Sequence, residues 1–192
     1  ENSFFLDTYS GASGAWSMRS IKASTLSSAV YRIRRTVTAG TADVFLDVNG
    51  LVSLDSPITI ITGTSLATNL GQYVAAVGYS DVDGLLTPAS AFCSIWYDTS
   101  GNGKNAIQNT DASQPRLVNA GVLDKDPYTN RTSLYFSGSN ELSIASFNTN
   151  LSVLNSHSVF TVHKNLSGNA GSVFRSSIST TNRFAINYLK VS

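Results

Sequence analysis

The stretch from Ala91 to Gln108, AFCSIWYDTSGNGKNAIQ, most constrains what this chain can fold into. Ala91 to Tyr97 is apolar, aromatic and β-favouring, the composition of a buried strand. The run stops at Asp98-Thr99-Ser100-Gly101-Asn102-Gly103. An Asp carboxylate accepts backbone N–H groups one or two residues on, and Gly101, Asn102 and Gly103 tolerate positive φ. A second polar-apolar segment follows from Lys104 to Gln108. The expectation is a strand entering a rigid hydrogen-bonded turn, with Trp96 and Tyr97 at its mouth. Cys93 inside that strand is expected to be an inert buried thiol. As the chain's one cysteine it excludes an internal disulfide and a Cys-based zinc site.

Other strands follow from alternation. Val30 to Val37 sets Tyr31, Ile33, Arg35 and Val37 on one face and Arg32, Arg34 and Thr36 on the other. The arginines can pair with Asp43 or Asp47, or bind an external phosphate or carboxylate. Asn49-Gly50 between apolar segments signals a type I′ hairpin over Phe45 to Leu54. Ile58 to Ile61 reads as a strand entered by Pro57 and left at Gly63. Helical spacing over Ser65 to Val77 predicts a helix ending at Gly78. A short helix is expected over Ser13 to Ile21, capped by Ser10 or Ser13. Asp81-Val82-Asp83-Gly84 resembles the start of a calcium loop, but Phe92 stands where the closing Glu belongs, so a solvated turn is expected. Further strands are read at Arg116 to Val118, Leu134 to Phe136, Leu142 to Ile144, Val159 to His163, Ser172 to Arg175 and Phe184 to Leu189.

Charged residues are 13% of the chain against about 25% in an average soluble protein. With 42% hydrophobic residues and a net charge of +1, the chain reads as mainly β and ordered. There is no general electrostatic pull on nucleic acid or membranes, and no apolar run long enough to span a bilayer.

Several motifs resemble one family. WYDTSGNGKNAIQ (Trp96 to Gln108), QPRLVNAGV (Gln114 to Val122) and LYFSGSNELSI (Leu134 to Ile144) are similar to motifs of concanavalin A-like (LamG-type) β-sandwich domains. LDTYSGASGAWSMRSIKAS from Leu6, then AVYRIRR from Ala29, resembles the lead-in that precedes the lectin-like part of that group. Such domains occur in phage tail and fibre proteins, in bacterial surface proteins and, more distantly, in arabinofuranosidase B-type glycosidases. The resemblance implies a jelly-roll β-sandwich. We expect a lead-in of short helices and a hairpin over residues 1–90 and the front part of the sandwich over residues 91–192. Too few strands follow Ala91 to close such a sandwich, so a longer protein or neighbouring subunits are expected to complete it, and the piece itself to oligomerise.

Candidate ligand contacts are Trp96, Tyr97, Asp98, Asn102, Asn105 and Gln108, an aromatic platform beside amides and a carboxylate suited to sugar hydroxyls. Trp16 and the tyrosines extend the aromatic supply. The competing expectation is that Trp96 packs in the core and Asp98 braces its own turn. A glycosidase needs two facing carboxyl groups. The chain has only two glutamates, Glu1 and Glu141, and nothing singles out a partner for Glu141 or Asp98 among Asp111, Asp124 and Asp126. The Met-Glu-Ala-like segment that carries the nucleophile in the arabinofuranosidases is missing, as are the family cysteines, and Thr99 replaces the common Gln. His157 and His163 lack clustered carboxylates, so no metal and no cofactor is expected. The expectation is a non-enzymatic virion-surface protein, a fibre, tail or capsid appendage, that binds glycan or host surface beside other virion subunits. The alternatives are purely structural assembly and a fragment of a secreted or cell-surface hydrolase.

Overall fold

The computed structural model describes residues 4–9, 11–144, 161, 171–177 and 183–188. Among them the protein is mainly β, and it divides into two units, Glu1–Ala145 and Ser146–Ser192. The first holds an eight-stranded antiparallel sheet: β1 (Tyr31–Arg35), β2 (Thr41–Val44), β3 (Ile58–Thr62), β4 (Ala91–Trp96), β5 (Ala106–Ile107), β6 (Arg116–Asn119), β7 (Val122–Leu123) and β8 (Ser143–Ile144). The second holds a hairpin of β9 (Gly171–Ser177) and β10 (Arg183–Tyr188), where two of the expected strands fall. The strand expected at Val159 to His163, and both histidines, lie outside the described residues.

β4 is central. One edge pairs with β1 along its length, and the other is shared between β5 at Ile95 and Trp96 and β6 at Ala91 and Phe92. The order runs β3-β2-β1-β4-β5-β8, with β6 and β7 branching from β4. The division expected near residue 90 therefore falls inside one unit. β1, from before that point, is hydrogen-bonded to β4, from after it; the chain parts after Ala145 instead.

Alternation sorts the faces of β1 as the sequence implied as far as Arg35, whereas Val37, expected on the same inward face, lies beyond the strand and is exposed. Tyr31, Ile33, Ala42, Val44, Ala91 and Cys93 face a core that also takes Leu70, Tyr73, Val74, Leu117 and Val118. Burying each of the larger of these side chains contributes about 1.5–3 kcal/mol. Arg35 shares the inward face, where its guanidinium meets Asp83 at 2.6 Å, the Tyr73 carbonyl at 2.8 Å and the Tyr73 ring at 4.5 Å. Only 5% and 6% of the Arg35 and Asp83 side chains are exposed, so Asp83 closes a buried ion pair rather than a solvated turn. Burial raises its pKa, yet bonds from Ser65, Leu66 and Arg35 outweigh that and hold it below the usual carboxylate range.

Three local expectations are corrected. Residues 13–21 form no helix; Arg19 bridges Leu51, and Val52 donates its N–H to the Met18 carbonyl, so the segment is an extended partner. The helix expected over Ser65 to Val77 shrinks to one turn, Leu70–Tyr73, capped by the Asn69 side chain. Leu70, Tyr73 and Val74 are buried as the spacing implied, but Leu66 and Val77 are exposed and Ala75 turns to φ 50°. At Asn49-Gly50 the Gly50 N–H reaches the Asp47 carbonyl, with positive φ at Gly50 and not at Asn49. That is the longer glycine-closed loop rather than a type I′ turn. It forms because the Asp47 carboxylate accepts the N–H groups of Asn49 and Leu51.

Candidate functional site

The Asp98 turn forms as expected and does more than close itself. The carboxylate accepts the Ser100 N–H (2.8 Å), the Ser100 hydroxyl (2.8 Å), the Lys104 N–H (2.9 Å) and, from far back in the chain, the Ala15 N–H (2.9 Å). Asn105 accepts the Asp98 N–H. Gly101 and Gly103 take φ 96° and 67°, which lets the loop fold around the carboxylate. Burial raises the Asp98 pKa, but the donated bonds outweigh it and hold the group below the usual range.

The rest of the loop grips the same N-terminal segment. Thr99 gives its N–H and hydroxyl to the Ala15 carbonyl, Asn102 gives its amide to Ala12, Lys22 donates to the Ser100 carbonyl, and Trp16 Nε1 donates to the Lys104 carbonyl. The loop is a clasp, and Trp16 is part of it. Its motif joins the lead-in to β4.

Five of the six candidate ligand contacts therefore have internal hydrogen-bond partners, and Trp96 Nε1 is buried without one among the described residues. Tyr97 donates its hydroxyl to Asp43, which also takes both arms of Arg32, so the pairing with Asp43 holds. Burial and the Asp43 carboxylate push the Tyr97 pKa up to about 12. Gln108 bonds the Glu141 carbonyl and the Thr110 N–H. Trp96 is half-buried and packs against the core, its ring 5.5 Å from that of Tyr31, in line with the expectation that it packs there. Cys93 is fully buried, and burial pushes its thiol pKa far up, as expected of an inert thiol. A different set of residues lines a shared hollow.

That set lies on the outer face of β1, β4 and β6. Register aligns Arg34 with Phe92, Phe92 with Arg116, and Arg116 with Tyr135 across an isolated bridge. The Arg34 guanidinium sits 5.2 Å from the Phe92 ring centre, and that of Arg116 sits 4.8 Å from Tyr135. Asp124 takes Arg116 in a two-armed bond at 2.7 and 3.0 Å, and Asp111 meets Arg34 at 3.2 Å. Gln114 accepts from Arg34 at 3.1 Å. The result is a groove of about 410 Å³ lined by both arginines, both rings, Asp111, Gln114, Ser137 and Asn140.

With each guanidinium matched by a carboxylate, the groove offers paired donors and acceptors around apolar ring edges. Such a surface suits a hydroxyl-rich ligand better than a bare anion. Its residues come from four separated stretches, so no local motif marks it. One signal was readable: Asn119-Ala120-Gly121-Val122 between apolar residues is a tight hairpin, with φ 45° and 79° at its centre, and it brings Asp124 back beside Arg116.

Among the described residues no three His, Cys, Asp or Glu side chains are placed to hold a metal ion, and no helix is long and apolar enough to cross a membrane. Asp98 and Asp124 are held by internal bonds, and Asp126 accepts from Tyr128 and Thr129 in its own turn. Asp111, its side chain 65% exposed, is the carboxylate that opens onto the groove. No protein family matches this chain, and no curated protein or solved structure does either.

Proposed function

We propose that this chain is a non-enzymatic, lectin-like module of a virion surface, part of a phage fibre, tail or capsid appendage, that binds glycan on the outer face of its sheet. The sheet then forms one layer of a concanavalin A-like jelly-roll sandwich. One observation carries the reading: the row Arg34, Phe92, Arg116 and Tyr135, with Gln114, Asn140 and Asp111 around it, sets apolar rings beside paired polar groups in an open groove. The motif resemblance and the low charge support the virion setting. A glycan array tests it. At least one neutral glycan should bind, insensitively to salt, and Tyr135→Ala should abolish the signal. A blank array, or binding indifferent to Tyr135, overturns the reading. Incubation with aryl arabinofuranosides should release no sugar; turnover lost on a single Asp or Glu substitution would restore the hydrolase.

A second reading, purely structural assembly, draws on the clasp, where the residues carrying the resemblance hold the chain together. Under it the array is blank while electron microscopy of the native source still finds the chain in a particle.

A further inference from the structure

We infer that the groove continues into a second subsite beneath the β1–β2 loop, so that its ligand is a linear oligosaccharide rather than a single sugar; this rests on the glycan-binding reading. A second hollow of about 490 Å³ is lined by the loop Thr36–Gly40 together with Arg34, Arg35, Thr41 and Asp111. It shares Arg34, Thr36 and Asp111 with the first hollow, so the two adjoin across the Arg34–Asp111 pair. Each alone stands toward the small end of the roughly 300–1,000 Å³ range of small-molecule sites.

The two halves differ in chemistry. The first is lined by rings and amides. No aromatic side chain lines the second. It has the hydroxyl of Thr38 and the isopropyl group of Val37, while the hydroxyls of Thr36 and Thr41 are bonded to Ser90 and Thr62. Among the described residues, Val37, Thr38 and Ala39 enter no backbone–backbone hydrogen bond, which leaves peptide N–H and C=O groups beside the hollow for a ligand's hydroxyls. Val37 is 67% exposed at φ 79°, a conformation that strains a β-branched residue, and it lines the hollow. The first sugar then rests at the Phe92–Tyr135 row, the Arg34–Asp111 pair meets the junction, and the next sugar lies under the loop.

The test is calorimetry of the full chain with oligosaccharide ladders, from single sugars to pentamers, of the cello-, manno- and chito- series. Affinity should rise about tenfold from the single sugar to the dimer or trimer and then level off, as expected when a second contact is tethered to the first. Val37→Lys, which fills the second hollow, should remove that gain and leave the single sugar unchanged. Val37→Gly, which relieves the φ strain, should keep the thermal midpoint at or above the parent's, so that loss of folding is not mistaken for loss of the subsite. Asn140→Ala should weaken every length alike. Affinity independent of length, or a gain that survives Val37→Lys, overturns the second subsite while the glycan reading stands. Absence of binding across the ladders and the array overturns both.

Discussion

At the Trp96 end of β4, the Asp98 carboxylate receives four donated hydrogen bonds, all from the protein itself. At the Ala91 end, Arg34 and Arg116 each meet one carboxylate beside an aromatic ring, and the groove between them stays open. Both regions set carboxylates among hydrogen-bond donors. The difference lies in what faces the polar groups. Around Asp98 the loop curls inward and every donor is a near neighbour or the lead-in segment. On the sheet face the side chains stand out from the strands and line an open groove. A polar cluster that its own backbone surrounds is a fastening, whereas one that leaves a face to solvent can take a ligand.

The largest expected effect separates the two at once. Asp98→Ala leaves the N–H groups of Ala15, Ser100 and Lys104 without their acceptor, at a cost on the order of 3 kcal/mol. Urea unfolding should show it as a lower midpoint with an unchanged slope. Glycan affinity at the groove should stay within twofold of the parent at a temperature where both are folded. Equal loss of binding would join the regions that the comparison holds apart.

Acid sharpens the contrast. The Asp98 pKa is lower in the folded chain than in the unfolded one, so as pH falls the unfolded chain takes up the proton first. The stability that this group contributes is present above about pH 4, the ordinary Asp value, and is lost as pH falls through the folded-state pKa. Asp83 and Asp47 act with the same sign. Asp98→Asn should therefore lower stability at neutral pH and flatten part of the acid limb, the two curves converging once the folded-state carboxylate is protonated. Parallel curves across that range would show that the carboxylate's charge plays no part in the clasp.

The smallest expected change in stability is at the groove. Arg116→Lys keeps the charge but loses the two-armed bond to Asp124, and at a part-exposed pair that costs at most about 1 kcal/mol. Thermal melts should shift by only a few degrees, while array binding falls sharply because Tyr135 loses the planar group beside it. A large drop in stability with binding intact would make this pair a fastening too.

How legible each region was follows from the same contrast. The clasp could be read in part because Asp98, Ser100 and the glycines act within a few residues, and local hydrogen bonding writes itself into local sequence. Its grip on Ala12, Ala15 and Lys22 could not, since nothing in the spacing says which distant segment the loop will hold. β1, β3 and β4 were readable from alternation and apolar runs. The helix over Ser65 to Val77 misled, because Leu70, Tyr73 and Val74 share a buried face through a single turn. Gly71, a poor helix former, is where the Tyr79 ring packs so closely that a Cβ would collide with it. Asp83 looked like part of a solvated turn because its partner, Arg35, lies 48 residues back in the chain on β1. The groove was illegible for the same reason: Arg34, Phe92, Arg116 and Tyr135 are neighbours only in register.

The divided edge of β4 carries one more consequence. Between the short strands β5 and β6 the chain leaves the sheet and returns to it, and the excursion through Thr110, Asp111 and Ser113 overhangs the face as far as Arg34. Surface connections of this kind tolerate insertion and substitution better than the strands they join. Lengthening or recolouring this one segment would rebuild the wall of the groove while β1, β4 and β6 keep their register. A population under pressure to recognise new surfaces would have there a place to vary without risking the fold.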